Sequence, residues 1–136
     1  MPWDVFDALN NRGESALVVW IAKKKLTRRE IGQLNQKIDM LIQNGPDLSP
    51  GLLAGPVKSK RNKKLVSHIY KLIIHSDRML RPMLCKGPID LQNEFTMLLG
   101  AIEAGGVLDT DTADADDVRL AIIANKQLRK PHERYS

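Results

Sequence analysis

Residues 66–85 read VSHIYKLIIHSDRMLRPMLC, and their pattern decides the fold class. Residues 66–75 are rich in β-branched and aliphatic side chains, Ser76-Asp77 has turn composition, and residues 78–85 form a second apolar run. That pattern is a β-hairpin. Pro82 lies inside the second run and cannot donate to a ladder, so an edge position or a bulge is expected there. Lys86-Gly87-Pro88 ends the run. Residues 94–103, through Phe95, Met97, Leu98, Leu99 and Ile102, read as a third strand, although Met, Leu and Ala also suit a helix. Gly105-Gly106 closes it.

Upstream of the hairpin the period is that of helices. Residues 1–13 are short and mixed, and Arg12-Gly13 reads as a break. Residues 14–25 read as a helix with Leu17, Val18, Trp20 and Ile21 on its apolar side. Thr27 and Glu30 have capping-box spacing, and Ile31, Leu34, Ile38, Leu41 and Ile42 behind them line one helical face. Asn44-Gly45-Pro46 stops that helix. Two helices joined by so short a turn predict an antiparallel hairpin. Residues 48–57 are a Pro- and Gly-containing loop, with a short strand expected near residues 52–55. Downstream, residues 113–126 read as a helix that Thr112 can cap, with Asp114, Asp116 and Asp117 in its first turn and Lys126, Arg129 and Lys130 beyond its end. The expectation is α+β: an N-terminal helical hairpin packed on a small antiparallel β-sheet, followed by a C-terminal helix. Residues 1–136 are read as a single domain, with 1–13 as an N-terminal extension and 127–136 as a basic tail.

Composition narrows the function classes. The chain has 136 residues, 43% hydrophobic and 27% charged, which is enough apolar material for a core. Its longest apolar run, residues 16–22, is far short of the roughly 20 residues needed to cross a bilayer. No basic-then-apolar leader opens it, and its single cysteine, Cys85, cannot form an internal disulfide. A cytoplasmic protein without membrane contact is the expectation. No Cys/His cluster has zinc spacing, no Gly-rich phosphate loop is present, and the acidic run from Asp109 lacks the Gly and Glu positions of a calcium loop, so no metal or cofactor is expected. The net charge of +5 is unevenly spread: residues 1–57 carry +1, residues 58–88 carry +8 and residues 89–136 carry −4.

That basic middle is the strongest chemical signal. Lys58, Lys60, Arg61, Lys63 and Lys64 form a block, followed by Lys71, Arg78, Arg81 and Lys86. Cations on a loop and hairpin suit a phosphate backbone, because each neutralised phosphate releases counterions. An acidic protein is the other kind of partner such charge would meet. For a metal-free nuclease, proton transfer at neutral pH would fall to Tyr70, His75 and the tail residue His132, with Arg78 and Arg81 around the phosphate. His68, Arg129, Lys130, Arg134 and Tyr135 are the remaining groups of this kind. Cys85, at the end of an apolar strand, reads as a small buried side chain.

The order of these segments resembles the RelE/ParE superfamily of toxin–antitoxin toxins, and within it the HigB-like, phage-associated members. The likeness rests on the helical hairpin ending in Asn44-Gly45, on Ile69-Tyr70-Lys71-Leu72 turning into Arg78-Met79-Leu80-Arg81, and on the third apolar run 94–100. An Ala-rich acidic helix containing Ala121-Ile122-Ile123 and a basic tail complete it. It implies messenger-RNA cleavage on the ribosome without metal, and neutralisation by a small antitoxin protein. The site would then fall on Arg78 and Arg81 with Tyr70, His75 and His132. RNA would be held by Lys58, Lys60, Arg61, Lys63, Lys64, Lys71, Lys86, Arg129 and Lys130. Two departures keep an alternative open: Glu103-Ala104-Gly105-Gly106 stands where HigB-like chains carry a Lys pair, and Ile73 stands where Tyr-x-Leu-Arg has its Arg. The alternative is a phage-type protein of toxin-like fold that binds nucleic acid or an acidic protein, or inhibits gyrase as ParE does, without cutting.

Overall fold

The computed structural model describes residues 2–48, 51–58, 65–89 and 93–136. Its first half contains β1 (Asp4–Ala8), α1 (Ala16–Lys23), α2 (Arg28–Asn44), β2 (Leu53–Ala54), β3 (Val57–Lys58), β4 (Leu65–Val66) and β5 (Ile69–Leu72). The second half contains β6 (Ile74–His75), β7 (Met79–Leu80), β8 (Met83–Lys86), β9 (Glu94–Leu99), β10 (Ile102–Ala104), β11 (Val107–Leu108), α3 (Thr112–Ala124) and β12 (Arg129–Pro131). The class is α+β.

The two N-terminal helices begin where their caps lie. Ser15 accepts from the Val18 amide to start α1. The capping box of α2 is complete: the Thr27 hydroxyl accepts from the Glu30 amide at 3.1 Å, and the Thr27 amide donates to Glu30 Oε1 at 2.9 Å. Gly45 closes α2 with φ of +58°, and a Cβ there would lie 2.4 Å from Trp3 Nε1. Both the backbone angle and the indole therefore demand glycine. Leu34, Ile38 and Leu41 of α2 are fully buried, each contributing roughly 1.5–3 kcal/mol by leaving water, while Ile31 and Ile42 pack at the margin.

Among the described residues the main sheet runs β12-β1-β9-β8-β5-β2. Successive strand residues face opposite sides, and this alternation divides the core in two. Val5, Leu72, Leu84, Phe95 and Met97 meet Leu17 and Trp20 of α1 and the apolar face of α2. Ala8, Ile69, Met83, Cys85 and Leu98 meet Ala115 and Ile122 of α3. The sheet is thus covered by α1 and α2 on one face and by α3 on the other.

Each of the three strands read from the sequence is broken once at the same level. β5 and β6 are separated at Ile73, β7 and β8 at Arg81-Pro82, and β9 and β10 at Gly100-Ala101. Pro82 accepts from Leu72 but has no amide to donate, and the β8–β9 register shifts between Met83 and Leu84. Beyond the break the chain continues as a second sheet, β11-β10-β7-β6. Pro82 therefore marks a bend between two sheets, and β8 lies inside the main sheet between β5 and β9. Residues 94–103 are strand, and the short strand expected near residues 52–55 is β2.

Several expectations need correction. The main sheet is mixed, because β1 runs parallel to β9. Residues 4–8, read as part of an extension, are an inner strand; the two acidic side chains among only five residues concealed it. Residues 129–131, read as tail, pair antiparallel with β1, and Tyr135 beyond them is buried. Asp111 rather than Thr112 caps α3, accepting from Ala113 at 2.9 Å. That helix stops at Ala124 because Asn125 turns the chain, accepting from the Gln127 amide. No helix among the described residues is long and apolar enough to cross a membrane.

Candidate nucleic-acid interface

The sheet edge formed by β2 and β5 holds an open pocket of about 440 Å³. Pro46 and Leu48, following α2, form one wall, and Leu53, Ala54 and Gly55 form another. Tyr70 of β5, Lys86 of β8 and Phe95 of β9 complete it. Alternation explains why these three converge. Tyr70 pairs in register with Leu84, so Leu84, Lys86 and Tyr70 share the face that meets α1 and α2, and Phe95 lies opposite Lys86. Gly55 leaves room for the phenol: a Cβ there would sit 2.5 Å from Tyr70 Cδ2.

Lys86 is positioned by aromatic contact. Its ammonium lies 5.7 Å from the centre of the Trp3 ring, which itself packs at 4.8 Å on Phe95. Among the described residues neither Lys86 nor the Tyr70 hydroxyl has a hydrogen-bond or ion-pair partner, and no carboxylate lines the pocket. Lys71 falls on the opposite face of β5, opposite Met83 and beside Ile69, so it does not join this pocket. Lys58 ends β3, across from Leu65. Lys60, Arg61, Lys63 and Lys64 lie outside the described residues.

The two arginines expected to act on a phosphate are engaged internally. Arg78 donates through Nε and Nη2 to Glu30 at 3.0 and 2.8 Å, and through Nη1 to the Lys24 carbonyl at 3.0 Å. It therefore ties the β6–β7 turn to the junction between α1 and α2. This bidentate contact is the main reason the Glu30 carboxyl is held below its ordinary value. Arg81 is buried in the bend, where it donates to the Leu80 carbonyl at 3.0 Å and lies 3.6 Å from Glu103. Glu103 thus neutralises the second arginine.

The tail residues are likewise structural. His132 lies at the β12 edge, separated from Tyr70 by β1, β9 and β8. Its Nδ1 is 3.0 Å from Asp7 Oδ1, and the Tyr135 hydroxyl donates to the same carboxylate at 3.0 and 3.2 Å. Ser15 donates to Asp7 Oδ2 at 2.8 Å. Asn35 holds the Tyr135 backbone at both its amide and its carbonyl, each at 2.9 Å. Burial pushes the Tyr135 phenol upward, and the neighbouring Asp7 charge adds to the shift. Arg129 pairs with Glu94 at 2.9 Å and lies 3.9 Å from the Phe6 ring centre. Lys130, on the β12 edge, is exposed, and Arg134 meets Asp39 at the surface. His75 is exposed on β6.

His75, Arg78 and Arg81 lie on or beside the β6–β7 hairpin, while Tyr70 and His132 lie toward opposite edges of the main sheet, and both arginines are committed to internal partners. These five do not surround one phosphate position. Cys85 is fully buried, and desolvation pushes its thiol up to about 12, so it has no thiolate character at neutral pH. Trp3, Asp7 and Phe95 were absent from the sequence-derived site. Only an alternation reading of residues 3–8 could have signalled the first two, and Asp7 on the inward face disguises that alternation. No family model matches the chain, and no curated protein or solved structure matches it either.

Proposed function

We propose that the protein is a RelE/HigB-like chain that binds RNA without cutting it. The observation carrying this reading is the Tyr70–Lys86 pocket: an aromatic cleft with an uncommitted cation, on the sheet edge next to the hairpin that bears the basic block. The block contributes by sequence, since Lys60, Arg61, Lys63 and Lys64 all fall between β3 and β4. Cleavage requires a base, an acid and cations around a single phosphate. Arg78 and Arg81 are committed to Glu30, Glu103 and backbone carbonyls, while His132 serves Asp7. Binding is therefore the better supported half of the family likeness. The ribosome and a small antitoxin are partners that the likeness alone suggests.

Titration of labelled single-stranded RNA at several salt concentrations tests the reading. About four phosphate contacts would give a log–log salt slope near −3, and an affinity loss of roughly 60-fold between about 50 and 200 mM salt. The RNA should emerge intact. A flat salt response, or no association at low salt, would rule the proposal out. Shortened products that disappear in the Arg81→Ala variant would restore the nuclease reading.

A further inference from the structure

We infer that the pocket at the β2–β5 edge receives one base of an RNA single strand, stacked against Tyr70, with Lys86 on the adjoining phosphate. This rests on the RNA-binding reading and specifies how that site discriminates its ligand. Three features of the pocket select the ligand class.

The first is wall chemistry. Pro46, Ala54, Gly55 and the half-buried Tyr70 ring form the accessible rim above a floor of the buried Leu48, Leu53 and Phe95, a surface that suits the face of a flat heterocycle. The second is size. About 440 Å³ lies near the small end of the range for small-ligand pockets, enough for a base and its ribose but small for a peptide helix, which needs several successive anchor sites. The third is charge. Lys86 is held over Trp3 with no anionic partner among the described residues, and no carboxylate is in the lining. Asp47 belongs to the same turn as Pro46 and Leu48 but is exposed and does not line the pocket. A base in the cleft with its phosphate at the rim uses all three features.

The uncommitted Tyr70 hydroxyl is available to a base edge, but stacking requires only the ring. Stacking on an aromatic side chain is tolerant of base identity, so the expected preference is for the presence of a base rather than for a sequence.

The deciding experiment compares two strands of equal charge: a short oligouridine and the same backbone with its bases removed. Fluorescence anisotropy should show the base-bearing strand binding about tenfold more tightly to the native protein. Tyr70→Phe should keep that ratio and Tyr70→Leu should abolish it. Lys86→Met, which retains a side chain over Trp3, should weaken both strands and reduce the salt slope by about 0.7. Uridine monophosphate should compete with the strand where ribose 5-phosphate and inorganic phosphate do not. Equal affinity for the two strands would overturn the pocket proposal and leave salt-dependent RNA binding standing. Saturable uridine monophosphate binding without association of either strand would retain the pocket and overturn RNA binding. Absence of both would overturn both. The strand comparison on the native protein decides the matter even if Tyr70→Leu fails to fold.

Discussion

Tyr70 and Tyr135 stand at opposite edges of one sheet face, and the fold treats them in opposite ways. Each ring packs on the core between the sheet and the helices α1 and α2, and each borders a cavity, of about 440 Å³ at Tyr70 and about 200 Å³ at Tyr135. At Tyr135 every polar atom is answered: the hydroxyl donates to Asp7, the backbone is clamped by Asn35, and His132 and Ser15 fill the rest of the carboxylate. At Tyr70 the hydroxyl and the nearby Lys86 are unanswered among the described residues. Satisfaction by internal partners separates a fastening from an open surface more sharply than residue type does. The same rule separates Arg78 and Arg81 from Lys86.

The sharpest way to break this comparison is to remove the carboxylate at the fastened end. Asp7→Ala should leave buried donors on Ser15, His132 and Tyr135 unpaired and cost about 3–5 kcal/mol in thermal or urea unfolding. Against a typical domain stability of about 5–15 kcal/mol, that is a large fraction. A loss below about 1 kcal/mol would show that the tail is not held this way. Arg78→Ala strands Glu30, which is fully buried, but the arginine is itself more than a third exposed. The expected cost is therefore smaller, about 2–3 kcal/mol, with RNA affinity per folded molecule unchanged. Reduced affinity in a stable Arg78→Ala protein would move Arg78 into the binding surface.

The tyrosines themselves offer a matched pair. Tyr135→Phe should lose about 1–2 kcal/mol of stability and leave RNA binding intact. Tyr70→Phe should change stability by less than about 0.5 kcal/mol, since it gives up no internal hydrogen bond. Equal costs would erase the distinction drawn here.

The smallest effects are those of pH. The Glu30 carboxyl is held below its ordinary 4.5, so the unfolded chain takes up that proton first and stability falls as pH drops through and below that value. Arg78→Ala should flatten this acid limb. On the alkaline side the Cys85 thiol stays neutral up to about 12 in the folded state, against 9 when exposed, and the Tyr135 phenol is raised as well. Stability should therefore decline from about pH 9 upward, because only the unfolded chain ionises. Urea midpoints measured across the pH range would reveal both limbs.

How much of this was legible follows from the range of each interaction. The α2 capping box, its buried stripe and the Gly45 stop involve residues within a few turns of one another, and the structure contains them where the spacing put them. The hairpin around Ser76-Asp77 is equally local. β1 and β12 were missed because each is short and carries charge, and both owe their structure to partners about 90 or more residues away in sequence. Asp7 looks like a surface residue until His132 and Tyr135 arrive from the far end of the chain.

The site divides in the same manner. Composition and charge alone located the basic middle between residues 58 and 88, with Lys86 as one of its cations, and Tyr70 was read there only as a proton-transfer candidate. Tertiary structure decided which cations were free to meet a ligand. Arg78 and Arg81 found Glu30 and Glu103 on other elements of the fold, whereas alternation in β5, β8 and β9 turned Tyr70, Lys86 and Phe95 into one cleft. A sequence displays the charges of its side chains. Only folding pairs them, because burying an ion without its counterion or hydrogen bonds costs more than most single contacts return.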